Sequence, residues 1–475
     1  MKSKILLLLL GFSLLSFAQE NDSLLVPIDS VAIDIPIVDS IEVVFSKNDI
    51  QNSVAISAFY NKLYQLEQTK QGKINIVHIG DSHVQADLFT AKIRSQFQNN
   101  YGNGGFGFTF PYSVAKTNNS APIRYSASGN FQSFRNLYAD ASKPVGLCGY
   151  SMETKSDDFA IQLLVKDAKY NFTKLKVITP QNANLFDVSV SNKSIVIERK
   201  VPKKITHKVK PGEVLGGIAN KYNVSLKALK KANGLKSDMI RDGKILTIPT
   251  KGTQSKTTTK TEYIPIDLQT NSFSNDYSSE KPLDKIALVP NQEINEFVLN
   301  GLILENDNSG VIYHSIGVNG AKASDYNKFP LFYEQLPALN PDLVIISLGT
   351  NESFDKQSGE QYFTNLNQMI QGIKEKNPQA CVLVMTSPPS VLYRKYKNTF
   401  IEKYAELIED NAIVKNYAVW DLLQVFGGNK AINRNAAKGY MARDKVHYSK
   451  PGYEKQAELF FEAFKQSYEL FKSTK

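Results

Sequence analysis

The sequence predicts an α/β fold, a parallel sheet with helices on both faces, interrupted midway by a region of β structure. Three observations lead there. Short apolar runs alternate with stretches of helical periodicity at both ends of the chain, the mark of strand–helix–strand units. Between about residues 122 and 308 the runs become closely spaced and β-branched, separated by polar turns, which suggests a β-sandwich. The residues able to do chemistry fall just after apolar runs, and ligands on open α/β sheets bind beyond the carboxyl ends of the strands.

Taken in order, the 475 residues exceed one ordinary core, so two or three domains are expected. The chain opens M-K-S-K, continues with an apolar run over 5–15 and reaches Ser16-Phe17-Ala18. A basic start, a short apolar stretch and small residues at a cleavage position predict an export leader over 1–18. The run falls short of the roughly 20 apolar residues that a membrane-spanning helix needs. No cysteine follows it, so a lipid anchor there is not expected. Residues 19–50 hold seven acids against Lys47 and show no sustained period, which predicts an extended tether. Val54, Ile56, Phe59, Leu63 and Leu66 then recur at helical spacing. A strand over 74–79 runs into G-D-S-H, and 87–99 reads as a helix. The glycine-rich Y-G-N-G-G-F-G-F (101–108) lacks the Lys-Ser/Thr ending of a phosphate loop and is expected to be a tight surface loop near the active site.

Expected strands of the interrupting region are 159–165, 175–179, 186–190, 194–198, 285–289 and 296–305. Within it, residues 201–250 carry eleven Lys or Arg against three Asp or Glu, much of the net charge of +10. Pro202-Lys203-Lys204 precedes this basic window and a Thr/Lys linker over 251–260 follows it, so one compact unit is inserted in the β region, itself inserted in the α/β domain. From 311 onward strands are expected at 311–316, 343–347, 382–385 and 418–422, with helices at 360–374, 393–411 and 451–471. A basic module behind an export leader favours an anionic partner such as cell-wall polymer and argues against nucleic acid. Of the two cysteines, Cys381 opens the apolar run C-V-L-V-M while Cys148 lies far off in the chain; two buried free thiols are the expectation, although pairing is not readable from sequence.

Three segments carry the chemistry. I-V-H-I-G-D-S-H (76–83) puts Ser82 on a turn directly after a strand, V-I-I-S-L-G-T-N-E (344–352) puts the Asn351 amide after another, and D-K-V-H-Y-S (444–449) places Asp444 three residues before His447. A serine hydroxyl becomes a nucleophile only when a base takes its proton during attack. His447 is the best base, since Asp444 can hold its second ring nitrogen. Of the other histidines, His83 adjoins the serine and should point elsewhere, His78 and His314 sit in strands, and His207 lies in the basic window. Asn351, the backbone N–H of Gly320 in G-V-N-G-A and that of Ser82 could receive the oxyanion. No close histidine pair has metal-ligand spacing, so neither a metal nor another cofactor is expected.

Together G-D-S-H, N-G-A, G-T-N-E and D-K-V-H resemble the blocks of the SGNH (GDSL-type) hydrolase superfamily. The resemblance implies a flavodoxin-like three-layer fold with Ser82 as nucleophile, Asp444 and His447 completing the triad, and Gly320 and Asn351 in the oxyanion hole. Histidine stands where leucine usually follows the serine, and Glu352 where aspartate is frequent. G-D-S-H-V-Q-A-D-L-F-T, Y-G-N-G-G-F-G-F and H-S-I-G-V-N-G-A are moreover similar to bacterial peptidoglycan O-acetylesterases, whose hydrolase is interrupted by a carbohydrate-module-like β-domain. That implies removal of acetyl groups from the C6 hydroxyl of N-acetylmuramic acid. H-K-V-K-P-G-E-V-L-G-G-I-A-N-K-Y with I-R-D-G-K-I-L-T-I-P resembles a LysM domain, which implies a βααβ module binding N-acetylglucosamine-containing glycans such as peptidoglycan. Its groove would lie between Gly212, Glu213, Val214, Leu215 and Asp238, Met239, Ile240, Arg241.

The expected organisation is thus a leader 1–18, a tether 19–50, a hydrolase of 51–118 and 309–475, a β-sandwich of 119–204 and 252–308, and a LysM module of 205–250. The chain is expected in the periplasm or cell envelope, without stable membrane insertion once the leader is cleaved. An O-acetyltransferase on the same fold and a non-catalytic wall-binding protein are the alternatives; the triad residues do not separate hydrolysis from transfer.

Overall fold

The structure, a computed structural model, describes residues 48–475 apart from 139, 204, 251–252 and 292–293. The expected leader, and the tether up to residue 47, lie outside the described residues. The tether's expected end needs correcting. Ile50 is buried in the hydrolase core, and Asn48 donates to Leu459 O while accepting from the Trp420 indole. An apolar side chain with a core to enter gains more from burial than from remaining in an extended arm.

Six parallel strands form the central sheet. They are β1 (Lys73–Gly80), β2 (Asn103–Gly105), β3 (Gly310–Gly317), β4 (Leu343–Ser347), β5 (Cys381–Met385) and β6 (Ala418–Trp420), in the order β2-β3-β1-β4-β5-β6. Leaving aside the short edge strand β2, this is the flavodoxin-like order with its switch point at β1. The register pairs Gly80 with Gly317 on one side and with Ser347 on the other, so three strands end side by side.

Alternate residues of β1 enter different cores, as the two-residue period of a strand requires. Ile74 and Ile76 meet Phe59, Phe97, Phe460 and Phe464 from the helices Ser57–Thr69, Phe89–Tyr101 and Lys450–Lys472. Val77 and Ile79 face the core that contains Leu366 and Tyr404, from the helices Gly359–Lys376 and Thr399–Lys415. That second core runs on without a break into Phe159, Leu163, Leu175 and Leu288 of the inserted region.

The insertion is built from antiparallel sheets of five, four and three strands. Its five-stranded sheet takes in Gly107–Thr109, which pairs with Gly301–Glu305, so the β-domain draws on residues before the expected boundary at 119. The glycine-rich segment is accordingly not a surface loop. Phe106, Phe108 and Phe110 are buried, and its two halves enter two different sheets. The Thr/Lys stretch is not a linker either: Thr253–Tyr263 pairs along its length with Asn192–Pro202 as a two-stranded ribbon. Alternating Thr and Lys is compatible with a solvated strand as well as with a linker, and only the partner strand decides.

At the end of the ribbon the strands Ile205–Lys208 and Ile245–Ile248 pair antiparallel around the helices Leu215–Lys221 and Leu226–Ala232, a βααβ module. Val209, Leu215, Ile218, Leu229, Leu246 and Ile248 close its small core. The two cysteines are free and buried. Among the described residues no helix is long and apolar enough to cross a membrane.

Candidate active site

The turn after β1 presents the serine. Asp81 caps the short helix Ser82–Gln85, its carboxylate accepting from the His83 backbone N–H at 2.9 Å, as a short acidic side chain does at a helix start. Ser82 opens that helix, so its N–H is one of the donors a helix leaves without an internal acceptor. The helix sits close against β3: a Cβ on Gly317 would lie 2.3 Å from Gln85 N. Any larger residue at 317 would push the nucleophile out of place.

Ser82 Oγ lies 2.9 Å from His447 Nε2, and His447 Nδ1 lies 2.8 Å from Asp444 Oδ2. The other oxygen of Asp444 accepts from the backbone N–H of Val446 and His447, at 2.9 and 3.0 Å. The D-x-x-H segment is thus a closed local turn, with Lys445 in left-handed backbone (φ 56). Burial pushes the Asp444 carboxyl upward, but the bonds from His447 and the two N–H groups outweigh it and hold the group below its ordinary range. The carboxylate stays charged, Nδ1 keeps the proton, and Nε2 is left to accept from the serine.

A cavity of about 740 Å³ opens over these groups, lined also by Asn319, Gly320, Asn351, Tyr393 and Arg394. Gly320 has φ +86, a conformation that L side chains rarely adopt, so glycine is needed at this turn of the cavity wall. The Asn351 amide nitrogen already donates to Ala321 O at 3.0 Å and to Asp81 Oδ2 at 3.1 Å. It can meet an oxyanion only by sharing or releasing one of these bonds. Asp81 is buried, and burial lifts its carboxyl to about 7. Glu352, also buried, is lifted to about 7 by burial, with the neighbouring Asp81 charge adding to the rise.

The remaining histidines are held elsewhere. His78 bonds Tyr313 and Ser347 within the sheet, and His314 accepts from Phe108 N while its other nitrogen meets Asn75 Oδ1. His207 lies between Glu213 and Tyr222 in the LysM-like module. His83 does not point away from the site: its ring lies 5.3 Å from that of His447, and Nδ1 bonds the Tyr453 hydroxyl. Burial, with the adjacent His447 adding, lowers His83 to about 3, so it backs the His447 imidazole as a neutral ring.

In the module, Gly212 takes φ +82, Val214 is 67% exposed and Met239 86% exposed. Leu215 is buried in the module's core and Ile240 packs against it, so Leu215 offers no side chain to a ligand. Val214 is the extended residue before the helix and Leu215 its first residue, so the two side chains leave the backbone in different directions, one outward and one into the core. Glu213 is held by His207 and Lys210 N, Asp238 pairs with Lys230, and Arg241 is exposed.

Sequence reading missed the second row of the site. Gln85 accepts from Asn319 N at 2.6 Å and donates to Thr117 at 2.7 Å, bracing the loop that carries Gly320. Tyr453 braces His83. Only Asp81 had a local signal, an acid directly before a helix start.

Ser82, His447 and Asp444 stand hydrogen-bonded in series at the carboxyl edge of a flavodoxin-like sheet, an arrangement of the serine acyl hydrolase class. Comparison with known proteins specifies it: residues 299–455 match the GDSL-like Lipase/Acylhydrolase family and 207–249 the LysM domain. The chain therefore carries a GDSL-like domain and, ahead of the matched stretch, a LysM domain. Ser82 lies outside the matched stretch, and only the fold joins it to His447.

A solved structure described as a peptidoglycan O-acetylesterase is 20% identical and superposes with a TM-score of 0.58 over 89% of this chain and 99% of its own. The likeness establishes a shared fold. A lipase/acylhydrolase from Enterococcus faecalis, 22% identical, covers 34% of this chain and 77% of its own with a TM-score of 0.27. The Probable peptidoglycan endopeptidase LytE of Bacillus subtilis (strain 168) is 48% identical over 50 residues, 10% of this chain; the match spans 14% of that protein's length.

Proposed function

We propose that this chain is an exported esterase that removes O-acetyl groups from peptidoglycan, at the C6 hydroxyl of N-acetylmuramic acid, and that its LysM module holds it on the polymer. The observation that carries the reading is the hydrogen-bonded relay from Ser82 through His447 to Asp444 at the floor of a sugar-sized cavity. A fold shared along nearly its whole length with a peptidoglycan O-acetylesterase supports the substrate, as does a LysM match to a peptidoglycan endopeptidase. The expected leader over 1–18 supports export to the periplasm or cell envelope.

In this reading Ser82 Oγ attacks the acetyl carbonyl carbon as its proton passes to His447 Nε2. The Ser82 and Gly320 N–H groups and the Asn351 amide receive the oxyanion. Collapse expels the sugar oxygen, which takes the proton from His447 and leaves an acetyl-serine. His447 then deprotonates a water that attacks the acetyl-serine carbonyl; collapse breaks the bond to Ser82 Oγ, which takes the proton back from His447, and acetate leaves. The His447 side chain is 43% exposed, so water reaches the base. Tethering raises the local substrate concentration without changing the chemistry.

The test is acetate release from O-acetylated peptidoglycan beside acetylated xylan, with wild-type and Ser82→Ala proteins. Release from peptidoglycan that Ser82→Ala abolishes supports the reading. Preference for xylan, or equal release by both proteins, overturns it.

A further inference from the structure

A second cavity, of about 340 Å³, lies on the inserted β-domain and is lined by Lys116, Thr117, Phe134, Arg135, Tyr138 and Tyr150 among others. It adjoins the active-site cavity. Lys116 and Thr117 face the one and the next residue, Asn118, faces the other. The wall between them is the hydrogen-bonded set of Thr117, Gln85 and Asn319, whose bonds run from the second cavity to the loop of Gly320.

The lining has two kinds of group. Tyr138 is 76% exposed with the Arg135 guanidinium 4.5 Å over its ring, and Lys143 Nζ lies 4.2 Å over Phe134. Flat apolar faces of this kind suit the C–H face of a sugar ring. Among the described residues neither Lys116 nor Arg135 is ion-paired with a carboxylate; Arg135 meets the Tyr150 hydroxyl, which leaves its other guanidinium donors for a ligand. A guanidinium braced on an aromatic ring presents a planar fork of donors, the geometry that meets a carboxylate two-handed.

We propose that this cavity is a subsite for a carboxylate carried by the glycan substrate, on its stem peptide or an unsubstituted lactyl group, and for the sugar ring beside it, Arg135 and Lys116 holding the carboxylate while Phe134 and Tyr138 meet the ring. The subsite fixes which stretch of an anionic glycan presents its ester to Ser82. It rests on the reading of the chain as a glycan esterase.

The experiment uses the full chain as wild type, Arg135→Ala, Lys116→Ala and a charge control, Lys285→Ala, an exposed cation elsewhere on the insert. Acetate release is measured from soluble O-acetylated peptidoglycan fragments and from 4-nitrophenyl acetate. The ratio of kcat/KM on fragments to that on the small ester should fall about ten- to a hundredfold in Arg135→Ala, the range for losing a hydrogen bond to a charged group. It should fall also in Lys116→Ala and hold in Lys285→Ala. Amidating the carboxylates of the fragments should lower wild-type kcat/KM by a similar factor. A ratio in Arg135→Ala within twofold of wild type, or amidated fragments processed as well as native ones, overturns the subsite.

Wild-type protein that turns over the small ester but releases nothing from the fragments would instead remove the functional reading. The subsite is then judged by titrating Ser82→Ala protein with the disaccharide of N-acetylglucosamine and N-acetylmuramic acid. A Kd weakened by Arg135→Ala sustains it, and an unchanged Kd ends it.

Discussion

Replacing Asp444 with asparagine tests the relay more sharply than deleting it. Asp444 Oδ1 accepts two backbone N–H groups, so an asparagine in its place must keep its amide oxygen on that side to leave the turn closed. The amide nitrogen is then forced toward His447 Nδ1, where the carboxylate oxygen now sits at 2.8 Å. A donor facing Nδ1 drives the imidazole proton to Nε2, and Nε2 can no longer accept from the Ser82 hydroxyl. The fold is kept while the tautomer is reversed. A mis-set tautomer in such a relay costs on the order of 10⁴ in kcat, about 5.5 kcal/mol of barrier. The assay is steady-state turnover of 4-nitrophenyl acetate, with the thermal midpoint of each protein recorded beside it. Asp444→Asn turning over within tenfold of wild type, with an undisturbed midpoint, would refute the reasoning.

Asn351→Ala removes one proposed oxyanion donor and should lower kcat about 10²- to 10³-fold with a small change in KM, read from the same ester kinetics. Burial raises the Asp81 and Glu352 carboxyls from 3.8 and 4.5 to about 7 each. A raised carboxyl contributes stability that is complete below the unfolded value and is lost as pH rises through the folded one. The urea midpoint should therefore fall between about pH 4 and 7 from these groups, and less steeply in Glu352→Gln; an equal slope in both proteins would count against the buried pair. In the LysM module Val214→Ser with Met239→Ser should weaken co-sedimentation with insoluble peptidoglycan about tenfold, whereas unchanged pelleting would move the groove elsewhere.

Local signals carried much of this protein. Period and punctuation located five of the six central strands to within a residue or two, the short edge strand Asn103–Gly105 excepted, because a strand buried on both faces is nearly all apolar whatever surrounds it. Signals failed where a partner decides the outcome. Thr253–Tyr263 became a strand because Asn192–Pro202 lies beside it. The expected helix at 393–411 begins only at Thr399, after the short paired strands Val391–Leu392 and Tyr396–Lys397. Phe106 and Phe108 left the surface because two sheets meet there.

By itself the sequence determined the chemistry available. A serine on a capped turn, an acid three residues before a histidine, and an amide behind a strand are short-range arrangements that their neighbours enforce. Only the tertiary structure decided what those groups meet. The parallel register sets Gly80 beside Gly317 and Ser347, and that alignment lets Ser82 reach His447. It also sets Gln85 under the Gly320 loop, the His83 ring against that of His447, and Asp81 in contact with Asn351. Such contacts join residues hundreds of positions apart, and no local rule of spacing encodes a distance that the whole core must close to set.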